Sequence, residues 1–419
     1  MTARAPLVRA RAARPAHGMQ PLGALISLED ALRMCASLAE PVTRTGPVSL
    51  DESLRRVAAE DVRAPFDVPG AHRAAMDGYA VRAADTRRAT KARPVSLRCL
   101  DAIFAGDVPR TRVVAASCVQ IATGATLPPG ADAVVMVEDT DSDRDRVWMY
   151  RPVHVGQHVS RRGSDLRRGD QVVRKGDWIT PAKLGALAAI GKRRLRVFAR
   201  PRAAILTTGN EVVAPGRRLR EGQVYDINSQ TLAAVVRENG GEPHHVGHVG
   251  DEFDDLLAAL KGALAHDLVI VTGGSSVGTR DLLLDAFRDL GEVLFHGVAI
   301  RPGRPTLLAR TRDAPILGMP GNPTSCLNNA YVFLAPMLRV MARLPPPPER
   351  TVRATLSTAI SGPADKVTFV PVRLDAGEAV PVYKESGAIT SMSRADGYVI
   401  VPTGGVSLEA AQEVDVIRF

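Results

Sequence analysis

Aromatic residues are scarce in this 419-residue chain: Phe, Trp and Tyr together make up 4%. Without aromatics among its cations, the chain lacks the stacking platforms that hold single-stranded bases. Lysine is scarcer still, with seven among 54 basic residues, leaving 47 arginines. A codon bias produces such a skew, so no Arg is functional by its presence alone. The net charge of +9 favours anionic partners. It is spread too thinly to form a nucleic-acid footprint, and no nucleic-acid partner is expected. Cysteine is rare: residues 35, 99, 118 and 326 stand far apart, with no C-x-x-C. That spacing excludes a zinc or disulfide framework and reads as the reduced thiols of a cytoplasmic protein. No apolar run approaches the ~20 residues of a membrane helix. The longest are DLVIV (267–271) and AYVFLAP (330–336), so no membrane association is expected. Acidic residues are missing from the first 28 positions, which hold four arginines and no secretory apolar core. A transit peptide or a start-site choice, with Met19 as second start, would also give this composition. Residues 1–24 are read as a disordered extension.

The rest of the composition is that of an ordinary globular protein, 45% apolar and 24% charged. Residues 28–40 carry apolar positions at helical spacing before Pro41. Residues 63–159 read as short β runs broken by Pro and Gly. A second helix is expected at 181–191, which starts with Pro and ends with Gly. From about 197 to 344, strands alternate with amphipathic helices. Strands are predicted at 203–207, 244–249, 267–272, 292–300 and 315–318, and helices at 229–239, 253–265, 281–290 and 324–342. Such alternation implies a doubly wound, mostly parallel sheet that binds ligands at the carboxyl ends of its strands. After the stiff PPPP at 345–348, residues 351–419 look all-β, a small barrel or sandwich. The expected organisation is a connector with helices (25–62 and 160–196), a β-rich domain (63–159), an α/β domain (197–344) and a C-terminal β domain (345–419).

Three loops follow predicted strands of the α/β domain: TTGNEV (207–212), TGGSSVGTRD (272–281) and GMPGNPTS (318–325). Glycine lets backbone N–H groups approach an oxyanion, and a helix start adds partial positive charge. Ordinary strand-to-helix turns also recruit Gly and Ser, but three such loops in one unit favour a phosphate or oxyanion pocket. None is a Walker A loop, and no G-x-G-x-x-G follows a strand. GSSVG (274–278) fits the hydrolase elbow G-x-S-x-G around Ser276. His296, the single His downstream, is twenty residues away, so hydrolysis stays a weak alternative. RPGRP (301–305) sets two guanidinium forks three residues apart. Carboxylates near these loops are Glu211, Asp251 and Asp281, with Asp77 in AMDGYAV (75–81). Such groups hold hard cations beside phosphates, although Asp281 and Asp251 also stand where helix caps belong. PHHVGH (243–248) reads as a strand face rather than a metal site.

These motifs occur in one order with ATGATLPPGADAVVMVED (122–139), RRGSD (161–165) and SGAITSMSRADG (386–397). Over residues 25–419 the chain resembles the molybdopterin molybdenumtransferases, a family similar to the E domain of gephyrin. The SGAITSMSRADG and PTSCLNNAYVFLAP stretches look most like archaeal-type members. The resemblance implies insertion of molybdate or tungstate into adenylylated molybdopterin, with release of AMP and help from Mg²⁺ or another divalent cation. It also implies a four-domain homodimer with sites shared between subunits, and the molybdopterin adenylyltransferase as a further partner. Carried onto this chain, the family's site falls on Asp77, Glu211, Asp251 and Asp281 as catalytic residues, with Asp251 and Asp281 on the metal. Substrate contacts fall on Thr123, Asp165, Gly274, Ser275, Ser276, Gly278, Arg301, Arg304, Pro320, Asn322, Pro323, Ser325 and Ser391. The chain departs from the family in reading RPGRP for K-P-G-K-P and TGNE for TGDE. A family Arg near FVPV has no direct counterpart, leaving Lys366 or Arg373 to replace it. The competing readings are a non-catalytic scaffold on the same fold and the molybdopterin adenylyltransferase, which resembles the central domain alone.

Overall fold

A computed structural model of the chain describes residues 24–250, 252–273, 282–347, 351–385 and 387–419. The described chain begins with helix α1 (Leu28–Leu38). Ser27 caps it, its Oγ accepting from the Asp30 N–H at 3.0 Å. Ala31 and Cys35, four residues apart, form its buried stripe. Two compact units make up the chain: residues 47–197, and residues 24–46 together with 198–419.

Residues 47–197 contain a six-stranded sheet. Its strands are β1 (Gly78–Val81), β2 (Val95–Ile103), β3 (Ser117–Ile121), β4 (Ala133–Met136), β5 (Thr140–Asp143) and β6 (Arg146–Met149). They lie in the order β4-β1-β3-β2-β6-β5. Apolar residues cover both faces. Tyr79, Leu97 and Met149 lie in one cluster, and Ile103, Val119 and Ile121 in another. A third cluster forms around helix α2 (Pro181–Ala189), where Leu187 packs with Ile179 and Leu195. Pro181 opens α2, and the Thr180 Oγ1 caps it by accepting from the Lys183 N–H at 3.3 Å.

The other unit is built on a second six-stranded sheet. Its elements run β7 (Arg202–Thr208), α3 (Asn228–Glu238), β8 (Glu242–Val249), α4 (Phe253–Ala263), β9 (Leu268–Thr272), α5 (Leu282–Leu290) and β10 (Glu292–His296). Then come β11 (Ile300–Arg301), β12 (Leu307–Arg310), β13 (Ile316–Met319), α6 (Pro323–Asn329), a π-helical turn (Ala330–Leu334) and α7 (Ala335–Met341). The sheet order is β8-β7-β9-β13-β12-β10, with β8, β7, β9 and β13 parallel. β9, LVIVT, is wholly buried, because a central strand covered on both faces has no polar side to show. Each such Val or Ile contributes about 1.5–3 kcal/mol of burial. α1, α3 and the α6–α7 segment cover one face, and α4 and α5 the other.

The fold is therefore the expected α/β sheet flanked by β-rich elements. Several details differ from the sequence reading. The predicted strand 292–300 is two: Gly297, at φ +105°, ends β10, and β11 leaves for another sheet. β12, absent from the sequence reading, enters antiparallel between β10 and β13. The predicted helix 324–342 breaks at the π-helical turn ahead of Pro336, which has no N–H to continue the ladder. Residues 24–46, grouped with the connector in the sequence reading, pack here: Ala31, Cys35 and Ala39 join the α/β core. Arg44 forks onto Asp267, both contacts at 2.7 Å.

The C-terminal strands are β14 (Thr351–Leu356), β15 (Val367–Asp375), β16 (Glu378–Pro381), β17 (Gly397–Val401) and β18 (Glu413–Arg418), with a short helix α8 (Thr390–Ser393) before β17. The order β15-β16-β14-β18-β17 closes because β17 pairs back onto β15. Closure leaves no free edge among these five strands and buries Leu356, Val372, Val401 and Val416 inside. β11 pairs with β15, Arg301 opposite Thr368, and so fastens the RPGRP segment to the barrel. No helix among the described residues is long and apolar enough to cross a membrane.

Candidate active site

The carboxyl ends of β7, β9 and β13 carry the three loops found in the sequence, where the chain crosses from β7 to β8 on one side and from β9 to β10 on the other. They pack almost backbone to backbone. A Cβ on Gly273, which sits at φ +96°, would overlap the Thr208 carbonyl. Gly321 lies against the Gly273 Cα, which a Cβ there would meet at 3.6 Å. Asn228, at the start of α3, ties two loops together: its Nδ2 donates to the Thr272 Oγ1 and to the Gly321 carbonyl, both at 2.8 Å. Asp226 fixes the third. It accepts from the Thr207 hydroxyl and the Ser229 N–H, each at 2.9 Å. Neither Asn228 nor Asp226 stood out in the sequence. Each is a single polar residue beyond a loop, and only the sheet brings it to that edge. Glu211 and Asn210 are exposed on the loop after β7. The His248 ring nitrogen lies 2.6 Å from the Gly209 carbonyl, which places the PHHVGH stretch on edge strand β8.

A cavity of about 430 Å³ opens beside this edge. Its lining includes Arg301, Arg304, Asn322, Ser325, Lys366 and Tyr383. Three cationic side chains thus face one hollow. The Arg301 and Arg304 residues are exposed, and their guanidinium groups make no hydrogen bond or ion pair among the described residues. Lys366 lies 3.0 Å from Asp365, whose carboxyl is held below the usual range by that contact, with Arg304 adding to the effect. Arg373 bonds Asp375 at 2.9 Å and does not line the cavity. Lys366 is therefore the cation that the C-terminal barrel presents, brought there because it immediately precedes β15. Ser325 is 4% exposed on the first turn of α6, after Asn322 and Pro323.

Ser391 has another place. It is fully buried, and its Oγ accepts from the Lys384 N–H at 2.9 Å. Its loop docks on α6 instead, with the Thr324 hydroxyl donating to the Ala388 carbonyl at 2.8 Å. Asp251, Gly274, Ser275, Ser276, Gly278 and Asp281 lie outside the described residues. His296 sits on β10, three strands across from β9, or about 14 Å at ~4.8 Å per strand. That separation keeps His296 away from β9.

In the unit of residues 47–197, Asp77 precedes β1 and Thr123 follows β3, two neighbouring antiparallel strands. The Asp77 Oδ1 accepts from the Thr123 N–H at 2.7 Å and from its hydroxyl at 2.9 Å. These bonds, the backbone one first, hold the exposed carboxyl below its ordinary range, so it stays ionised at neutral pH. Asp165 is exposed on the 161–165 loop, its N–H donating to the Val68 carbonyl at 3.0 Å.

Residues 26–191 match the MoeA N-terminal region (domain I and II), 204–340 a probable molybdopterin binding domain, and 353–419 the MoeA C-terminal region (domain IV). A Mycobacterium tuberculosis protein named molybdopterin molybdenumtransferase 2 is 35% identical over 398 residues, 92% of this chain and 96% of that one. The chain belongs to the molybdopterin molybdenumtransferase family. The Bacillus subtilis molybdopterin molybdenumtransferase is 33% identical over 381 residues, covering 88% of this chain and 89% of that one. A solved molybdopterin biosynthesis MoeA protein from Pyrococcus horikoshii superposes with a TM-score of 0.79 at 37% identity, covering 94% of this chain and 99% of that one.

Proposed function

We propose that this chain inserts molybdate, or tungstate, into adenylylated molybdopterin, releasing AMP. The observation that carries the reading is the cationic cavity of Arg301, Arg304 and Lys366 beside the glycine-rich sheet edge. A tetrahedral dianion needs positive charge and short donors. Two guanidinium forks, an ammonium group and the Ser325 hydroxyl supply both. At 4 Å and an effective dielectric of 20, each cation–anion pair is worth about 4 kcal/mol before desolvation. Replacement of the family's lysines by Arg301 and Arg304 keeps the charge and adds forked donors. The loops after β9 and β13 offer backbone N–H groups for the substrate's phosphates.

Catalysis in this reading is mainly orientation. The phosphate loops hold the adenylylated pterin while the cations hold the oxyanion near its dithiolene sulfurs. The two thiol protons leave with one molybdate oxygen as water while the metal bonds the sulfurs, and water cleaves the adenylyl anhydride to release AMP. Asp251 and Asp281 are the residues that would hold a divalent cation such as Mg²⁺, and carboxylates suit such a hard ion. Gly250, next to Asp251, packs against the Asn210 side chain, so this end of β8 adjoins the TGNE loop and Glu211. When bound, the ion supplies charge neutralisation at the phosphate. Asp77 and Thr123 offer an ionised carboxylate and a hydroxyl to the site of a second subunit, making the functional unit a homodimer. With its four cysteines unpaired, the enzyme works in the cytoplasm, where the adenylyltransferase would hand over substrate. The test is AMP release from adenylylated molybdopterin, assayed with molybdate and with tungstate. Release that depends on either oxyanion supports the reading; no release with either rejects it in favour of a scaffold.

A further inference from the structure

We infer that Asn329 is a positioning residue: it locks the Arg301–Pro305 loop from behind, so that Arg301 and Arg304 meet the oxyanion in a fixed geometry. This rests on the cavity being the oxyanion site. Asn329 is fully buried at the end of α6. Its Nδ2 donates to the Gly303 carbonyl at 2.8 Å and to the Thr306 Oγ1 at 2.6 Å. The Thr306 hydroxyl, also fully buried, donates to the same carbonyl at 2.8 Å. Both lone pairs of Gly303 are thus taken. The orientation of the amide follows from chemistry: a carbonyl accepts only, so the atom facing it must be the nitrogen. Asn328 fills the remaining place, its Nδ2 donating to the Asn329 Oδ1 at 3.2 Å.

Gly303 stands midway between the two arginines, at φ +104°, and any Cβ there would overlap the Asn329 side chain. The loop therefore has no room to shift towards α6 and two bonds against shifting away. A π-helical turn begins at the next residue, Ala330, the kind of local irregularity that re-aims one side chain within a helix. Asn329 touches no substrate in this arrangement. Its effect passes through the backbone to guanidinium groups that no described side chain holds. Losing one such lock loosens both forks together, which weakens oxyanion capture more than the chemistry that follows.

The experiment compares wild type with Asn329→Asp, which keeps the shape and removes the donors, and Asn329→Thr, which keeps one donor. Molybdate half-saturation is measured at saturating adenylylated molybdopterin, with limiting rate and thermal midpoint alongside. Asn329→Asp is expected to raise the molybdate half-saturation by about tenfold, from two lost hydrogen bonds. The limiting rate should fall less than threefold, and Asn329→Thr should recover part of the change. Loss of folded enzyme alone lowers the limiting rate and leaves half-saturation where it was. An unchanged half-saturation in folded Asn329→Asp overturns the proposal. If that variant does not fold, Thr306→Val replaces it; it loses the bonds to Gly303 and Asn329, so about tenfold is again expected and no change again overturns the proposal. Calorimetric titration of wild type and Arg301→Ala with molybdate separates the two ideas. Equal binding by both refutes the oxyanion cavity itself, whatever Asn329 does.

Discussion

The two candidate clusters differ in what holds them. Around the RPGRP loop, backbone is fixed by buried Asn329 and Thr306, while among the described residues the two guanidinium groups have no hydrogen-bond or ion-pair partner. At Asp77 the backbone belongs to a sheet, but the charged group itself is already bonded, twice, to Thr123. The first arrangement leaves charge waiting for a ligand in a cavity made wholly by residues of its own unit. The second leaves an ionised carboxylate on an exposed surface with a fixed direction. Buried scaffolding with free cations suits capture of an anion. A fixed, exposed carboxylate suits completing a site formed elsewhere.

The sharpest break in that comparison is expected from the carboxylates proposed to hold the divalent cation. Asp281→Ala should abolish AMP release while the protein stays folded, since loss of a helix-start carboxylate costs only about 0.5–2 kcal/mol. Normal turnover by a folded variant would remove Asp281 from the chemistry. Next in size, Arg304→Ala should raise the molybdate requirement by about ten- to a hundredfold, from a charge-assisted contact of roughly 1.5–3 kcal/mol. Binding of the adenylylated pterin should change little. An unaltered molybdate dependence would make the RPGRP pair surface decoration.

A smaller effect tests the exposed cluster. Asp77→Ala and Asp281→Ala are each expected to be inactive, yet mixed dimers of the two should regain activity up to about one site per dimer, because a two-fold interface pairs each patch with its counterpart twice. In a shared arrangement one site carries both lesions and the other neither. Mixed dimers verified by mass but without activity would place all the chemistry within one chain. The smallest effect is on protonation. The Asp77 carboxyl should titrate below the ordinary value of about 3.9, and Thr123→Val should move it upward by removing the hydroxyl bond while the backbone bond remains. A depressed pKa means that the Asp77–Thr123 bonds favour the folded state above the ordinary carboxylate range. That contribution is lost as pH falls through the folded value. A carbon-detected NMR titration reads both, and an identical midpoint in wild type and variant would show that the hydroxyl does not matter.

Much of the fold was written locally. Periodic apolar positions fix α1 and α3, the Pro181 start and Thr180 cap fix α2, and an unbroken apolar run marks β9 as central. Glycine-rich stretches marked the sheet-edge loops, and the RPGRP arginines were legible as two guanidinium forks, which the fold sets on one cavity. What the sequence could not decide is which distant residues meet. β12 was missed because a four-residue strand has too little period to announce itself, and its direction is set by β10 and β13 on either side. Lys366 and Arg373 are equal candidates as letters. Only the pairing of β11 with β15 carries Lys366 into the cavity, while Arg373 turns to Asp375. Ser391 read as a ligand and lies buried in its own loop. Asn329 read as one more residue of a helix, 26 positions from the glycine it holds. Hydrophobic period and backbone propensity act within a few residues and so survive in the linear chain. Hydrogen bonds between residues remote in sequence exist only after the barrel has closed and the sheet has formed.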